Sequence, residues 1–144
     1  MISVYIDGSC EPINPNGIAS FGLIVYADGK KLYEQCQVVG EGKGMSNNYA
    51  EYCGLCAALK WLIANSLNNK EIIIYSDSQL LVNQMNELWQ CHEGFYAPKY
   101  HEALRLKTNF SKLHFKWIPR EQNKEADALS RKAYEEYCMK KQNH

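Results

Sequence analysis

The sequence predicts an α/β fold, a mixed sheet with helices packed on it, from three observations. Three β-rich runs open the chain in close succession. Helix-like and strand-like apolar patterns then alternate, and neither a linker nor an internal repeat interrupts them. A chain of 144 residues with 46% apolar side chains can bury one large core, so residues 1–144 are expected to form a single domain.

Ile2, Val4 and Ile6 alternate with Ser3, Tyr5 and Asp7, which reads as a first strand over residues 1–7 followed by a Gly8-Ser9-Cys10 turn. A loop with Pro12, Asn14-Pro15 and Asn16-Gly17 comes next. Residues 19–26 and 31–39 are β-rich and are joined through Asp28-Gly29, a strong hairpin signal, so the chain opens as an antiparallel meander. Gly40, Gly42 and Gly44 break the pattern, and Ser46 or Asn47 can cap a helix running to about Asn65. Residues 71–76 read as a short buried strand, 78–90 as a helix, 97–109 as another helix after Gly94 and Pro98, and 113–118 as a last strand stopped by Pro119. A final helix is expected from Asn123 to about Lys141. The order is β-β-β-α-β-α-α-β-α.

Sixteen basic residues balance sixteen acidic ones, so the chain lacks the basic excess that marks many nucleic-acid binders. Six cysteines without a visible signal segment read as reduced thiols. Cys53 and Cys56 fall inside a helical pattern, with no second pair at ligand spacing, and read as packing residues. No apolar run reaches the roughly 20 residues that span a bilayer. A cytoplasmic protein without membrane contact is expected, and the initiating Met and polar tail favour an independent chain.

Four carboxylates stand where the pattern is otherwise buried. Asp7 closes the first strand run, and Asp77 follows the apolar run Ile72-Ile73-Ile74-Tyr75. Glu51 continues the stripe Leu55, Ala58, Leu62 at helical spacing, and Asp127 borders Ala126, Leu129, Ala133 and Tyr137. Each has an ordinary alternative: dipole complementation for Glu51 and Asp127, a helix N-cap for Asp77, a turn for Asp7. An ionised carboxylate leaves water at a cost of several kcal/mol unless a cation or hydrogen bonds compensate it. Four together point to a divalent metal site.

The order and local context of these acids resemble ribonuclease H of type 1. Asp7-Gly8-Ser9-Cys10 with Asn14-Pro15 and Asn16-Gly17 is similar to that family's first motif, Ser46-Asn47-Asn48-Tyr49-Ala50-Glu51 to its second and Tyr75-Ser76-Asp77-Ser78-Gln79 to its third. The run from Trp117 through Pro119, Arg120 and Asn123 to Asp127 is similar to its fourth. The resemblance covers almost the whole chain and implies the ribonuclease H-like fold, a five-stranded mixed sheet with three antiparallel strands then two parallel ones. It also implies endonucleolytic hydrolysis of the RNA strand of RNA–DNA hybrids, leaving 5′-phosphate and 3′-hydroxyl ends. The alternatives are a nuclease of the same fold acting on double-stranded RNA or branched DNA, and a non-catalytic nucleic-acid-binding module.

By the same resemblance Asp7, Glu51, Asp77 and Asp127 are the catalytic and metal-binding residues, with two Mg²⁺ as cofactor and Mn²⁺ as an alternative. Asp7 is expected to bridge both ions. Asn47, Asn48 and Gln79 are expected in the hybrid's minor groove, the Cys10 backbone, Asn14 and Glu51 near the RNA strand, and Ser46 on a DNA-strand phosphate. The family's bacterial members carry a histidine in a glycine-rich loop before the last acid. Here the short segment 119–123 offers Arg120 and Glu121 instead, with Arg120 expected to bind substrate through a phosphate, and His92, His101, His114 and His144 read as surface residues. Residues 89–99 contain one basic residue, Lys99, where some relatives have a basic protrusion. The hybrid is the expected partner of a monomer with no obligate protein partner.

Overall fold

The computed structural model describes residues 1–91 and 93–142. Its elements are β1 (Ile2–Glu11), β2 (Ile18–Ala27), β3 (Lys30–Glu41), α1 (Asn47–Ala64), β4 (Glu71–Ser76), α2 (Gln79–Met85), α3 (Ala97–Lys107), β5 (Lys112–Trp117) and α4 (Lys124–Gln142), with a short 3₁₀ turn at Arg120–Gln122. One five-stranded sheet runs β3-β2-β1-β4-β5. β1, β2 and β3 pair antiparallel, while β4 lies parallel to both β1 and β5. This is the mixed sheet that the element order predicts.

The core follows from period-two burial on the strands. Ile2, Val4 and Ile6 of β1, with Ile72 and Ile74 of β4, face α1, whose Tyr52, Leu55, Leu59 and Leu62 are all fully buried. Burying a side chain of this size contributes roughly 1.5–3 kcal/mol. α1 lies between the sheet and α3, so most of its circumference is apolar. α4 covers the opposite face of β1, β2 and β3, and the two layers together bury Ile18–Val25 of β2 almost continuously.

Several boundaries differ from the sequence pattern, each for a local reason. Gly8, Ser9 and Cys10 form no turn: β2 supplies an antiparallel partner out to Glu11↔Ile18, so β1 continues through them. β3 likewise runs past Gly40 to Glu41, accommodated by a register shift at Ala19/Ser20. α2 ends at Met85, short of Gln90, because the backbone N–H groups of Leu88 and Trp89 turn back to the Asn83 carbonyl at 2.8 and 3.2 Å, and Glu87 takes φ +61°. α3 stops at Lys107, where the Thr108 hydroxyl donates to the Arg105 carbonyl at 2.7 Å. His101 and His114 are exposed; His92 and His144 lie outside the described residues.

Candidate metal centre

The site begins with how β1 and β4 end their pairing. Their parallel ladder stops at Ile6↔Ser76, so Asp7 and Asp77 are the next residues on adjacent strands at the carboxyl edge of the parallel pair. β1 does not end there, since Asp7 pairs with Gly22 of β2 and the strand continues. Asp7 is 3% exposed and accepts a hydrogen bond from the Gly8 N–H at 2.9 Å. Asp77 does not cap α2; the Ser78 hydroxyl does, accepting from the Leu81 N–H at 3.1 Å. Asp77 is instead held from behind by Trp117, whose indole N–H donates to the Asp77 carbonyl at 3.1 Å.

Two glycines let the helices reach these strands. A Cβ on Gly8 would meet the Ala50 carbonyl carbon at 2.7 Å and the Glu51 Cα at 2.9 Å, so the bare backbone is what allows α1 to rest on β1 there. That contact delivers Glu51, 4% exposed, to Asp7; it does not reach out to water. Gly22 serves α4 in the same way, because a Cβ there would lie 2.8 Å from the Ser130 nitrogen. α4 thereby brings Asp127 to the same edge.

One carboxylate oxygen from each of Asp7, Glu51 and Asp77 lies within 4.8 Å of the others. Glu51 Oε2 and Asp77 Oδ2 are buried without a hydrogen-bond partner. Burial, and then the negative charges of Asp77 and Asp127, push Asp7 up to about 8. Burial followed by Asp7 and Asp77 holds Glu51 well above the usual carboxylate range. Asp77 is also raised, chiefly by burial, with the Asn123 side chain and the Arg120 guanidinium pulling the other way. Asp127 stands outside the three-way group. It lies close enough to Asp7 for its negative charge to raise that carboxyl, while its Oδ2 receives Arg131 Nη2 at 2.9 Å.

A groove of about 430 Å³ opens over the cluster, lined by Asp7, Glu51 and Asp77 together with Cys10, Asn14, Asn47 and Arg120. Asn14 and Asn47 clasp each other across it: Asn14 Nδ2 donates to Asn47 Oδ1 at 2.9 Å, and the Asn47 N–H donates to Asn14 Oδ1 at 3.2 Å. The Cys10 thiol turns away, donating to the Ile13 carbonyl at 3.2 Å. Ser46 caps α1 by accepting from the Tyr49 N–H at 3.1 Å. Asn48 is half-buried in the first turn of α1 and Gln79 is exposed at the start of α2; neither lines the groove. Sequence reasoning did not single out Gly22, Trp117 or Asn123, whose Nδ2 donates to the Ile6 carbonyl at 2.8 Å. The one available signal was the placement of Trp117 and Asn123 in the run that ends at Asp127. Cys53 and Cys56 are buried free thiols pushed up by burial, which keeps them protonated.

The donor set fits a hard divalent cation: every converging ligand is a carboxylate oxygen, and two of those carboxylates carry an oxygen with no other partner. Fold and site therefore define an α/β protein with a carboxylate centre at its sheet edge. The chain belongs to the reverse transcriptase-like family, which it matches over residues 6–133, and its domain is ribonuclease H-like. It is 33% identical over 141 residues to EbsB of Enterococcus faecalis, covering 98% of this chain and 99% of that one. It is 30% identical over 135 residues to ribonuclease HI of Halobacterium salinarum, covering 94% of this chain and 65% of the longer relative. The structure of LC11-RNase H1 in complex with an RNA/DNA hybrid superimposes with a TM-score of 0.86 at 31% identity, covering 96% of this chain and 99% of that one.

Proposed function

We propose that this chain is a metal-dependent endoribonuclease that hydrolyses the RNA strand of RNA–DNA hybrids, with residues 1–144 as its catalytic unit. The observation that carries the reading is the Asp7–Glu51–Asp77 cluster, three carboxylates within 4.8 Å on the floor of an open groove. Similarity to a ribonuclease HI and to a hybrid-bound RNase H1 supports the substrate.

Asp7, Glu51 and Asp77 would hold Mg²⁺, with Asp127 completing a second position beside Asp7. Bound there, the metal supplies a nucleophilic water at neutral pH and charge stabilisation for the leaving 3′-oxygen, the ordinary contribution of a paired-ion site. The protein's own part is positioning. Asp7 sits on the central strand of the sheet, which pairs with β2 on one side and β4 on the other, so its carboxylate is placed between those of its neighbours. Asn14 and Asn47 present amide groups at the groove rim, where a 2′-hydroxyl can exchange for part of their mutual pairing and so distinguish RNA from DNA. Ser46 and Asn48 are the chain neighbours of Asn47, and Gln79 follows the groove-lining Ser78; from there they would contact the hybrid backbone and minor groove, and the Cys10 backbone adds a polar wall. Arg120, exposed and near enough to Asp77 to oppose part of the rise that burial causes there, offers a fixed positive charge to a phosphate.

All four acids come from one chain, so a monomer would be active. Among the described residues no helix is long and apolar enough to cross a membrane. The free thiols Cys10, Cys36, Cys53, Cys56 and Cys138 suit a reducing cytoplasm.

The test is cleavage of end-labelled RNA–DNA hybrid, RNA duplex, DNA duplex and branched DNA, with Mg²⁺, Mn²⁺ or EDTA. Cutting restricted to the RNA of the hybrid, abolished by EDTA, is expected. Preferred cutting of RNA duplex or branched DNA would replace the hybrid reading, and binding without cleavage in either metal would leave a nucleic-acid-binding module.

A further inference from the structure

We propose that Asn123 is a positioning residue of the carboxylate centre, a buried amide that aligns Asp7, Asp77 and Asp127 for metal binding. The inference rests on the metal-binding role given to those acids above.

Asn123 is the residue before α4, the place where an asparagine ordinarily turns its side-chain oxygen onto the first free N–H groups of the helix. It does not do so here. The side chain points inward, is 1% exposed, and Nδ2 donates to the Ile6 carbonyl at 2.8 Å, one residue before Asp7. The same side chain lies close to the Asp77 carboxyl. Through the backbone, the Asn123 carbonyl accepts the Asp127 N–H at 3.1 Å. One residue thus touches all three segments that carry Asp7, Asp77 and Asp127, and these segments are separated by 70 and 50 residues of chain (77 − 7 and 127 − 77).

The arrangement has a cost that stability alone does not explain. Asn123 Oδ1 is buried with no hydrogen-bond partner, although the capping position it gave up would have satisfied it. Unsatisfied buried acceptors are uncommon in folded proteins and call for a specific reason. Three buried orphan oxygens, on Glu51, Asp77 and Asn123, belong to this one region of the molecule. Groups that orient metal ligands from behind typically change metal affinity or activity by about 10- to 100-fold when removed. Asn123 occupies that position for Asp77 directly, and for Asp7 and Asp127 through the backbone.

The test compares wild type with Asn123→Ala, Asn123→Ser and a control, Cys56→Ala, which removes a buried group from the α1–α3 interface away from the centre. Mg²⁺ affinity is read by calorimetry, folding by circular dichroism and thermal melting, and kcat and KM on hybrid across Mg²⁺ concentrations. Mg²⁺ affinity is expected to fall by about tenfold or more in both Asn123 variants. kcat should fall with it and recover in part at high Mg²⁺, with KM for the hybrid within about twofold. Cys56→Ala should lower the melting temperature without moving Mg²⁺ affinity. Wild-type Mg²⁺ affinity in folded Asn123→Ala overturns the inference, as does loss of folding in Asn123→Ala together with wild-type affinity in Asn123→Ser. Wild type that binds Mg²⁺ but cuts no hybrid refutes the nuclease reading instead, and the calorimetric comparison still decides the role of Asn123.

Discussion

At the scale of single residues, the centre is a repulsive cluster that the fold holds together, and two measurable consequences follow. Asp7 keeps its proton up to about 8 in the folded chain, whereas an unfolded aspartate releases it near ~4. Between those values the folded state binds more protons than the unfolded one, so metal-free stability must fall as pH rises through that window. Glu51 is shifted in the same direction. Calorimetric melts in EDTA should therefore give a lower melting temperature at pH 8.5 than at pH 5, with a flatter dependence in Asp7→Asn. A wild-type melting temperature that rises over the same range would contradict the burial of these acids. The second consequence concerns Asp77→Asn. An amide of similar volume removes one charge from the cluster, so the metal-free variant should melt higher than wild type at pH 8 while hybrid cleavage drops to background. Gel assays with equal amounts of folded protein check the loss, and undiminished Mg²⁺-dependent cleavage would remove Asp77 from the chemistry.

At the scale of elements, the carboxylates meet because two helices can approach the sheet within backbone distance. Gly22 opposes Asp7 in the β1–β2 ladder, and α4 crosses directly over it. Gly22→Ala inserts a methyl group against the Ser130 backbone nitrogen at 2.8 Å, where no flexible side chain can yield, and overpacking of this kind costs typically 1–3 kcal/mol. The helix must lift, and Asp127 rises with it. Lower stability in denaturant melts and a larger loss of activity than the loss of folded protein explains are expected. Gly54→Ala provides the comparison, since its Cβ would meet the Phe21 side chain at 3.2 Å and that ring can adjust. Equal activity per folded molecule in both variants would show that helix seating does not control the centre.

At the scale of the whole molecule, the proposed metal site would link binding to folding through the same four acids. Metal bound only by the native state at 100 times its dissociation constant adds about 2.7 kcal/mol of stability. For a chain near this length that corresponds to a rise in melting temperature of roughly 5–11 °C at 2–4 °C per kcal/mol. Mg²⁺ titrations followed by thermal melting should show such a rise at pH 8 in wild type and a much smaller one in Asp77→Asn. A flat response in wild type would mean that the orphaned oxygens of Glu51 and Asp77 are not compensated by this cation. On the proposed function, the balanced net charge of the chain would make affinity for a hybrid depend on local groups such as Arg120 more than on a broad basic surface.

The linear pattern by itself determined the elements and the residue types of the centre. Alternation of Ile2, Val4 and Ile6 dictates a half-buried strand, the helical stripe through Leu55, Ala58 and Leu62 leaves Glu51 on the inward face, and an acid on that face demands compensation. These are local properties, set by side chains within one or two turns of each other. Tertiary structure alone decided where β1 ends, since Gly8 to Cys10 look like a turn until β2 pairs with them. It decided that Asp127 stands beside the three converging acids, tied to Arg131, because α4 is placed by the absence of a side chain at Gly22. It also decided that Asn123 turns inward to Ile6. Such contacts join residues up to 117 positions apart, and their geometry depends on how closely backbones can approach, a quantity that no single stretch of sequence contains.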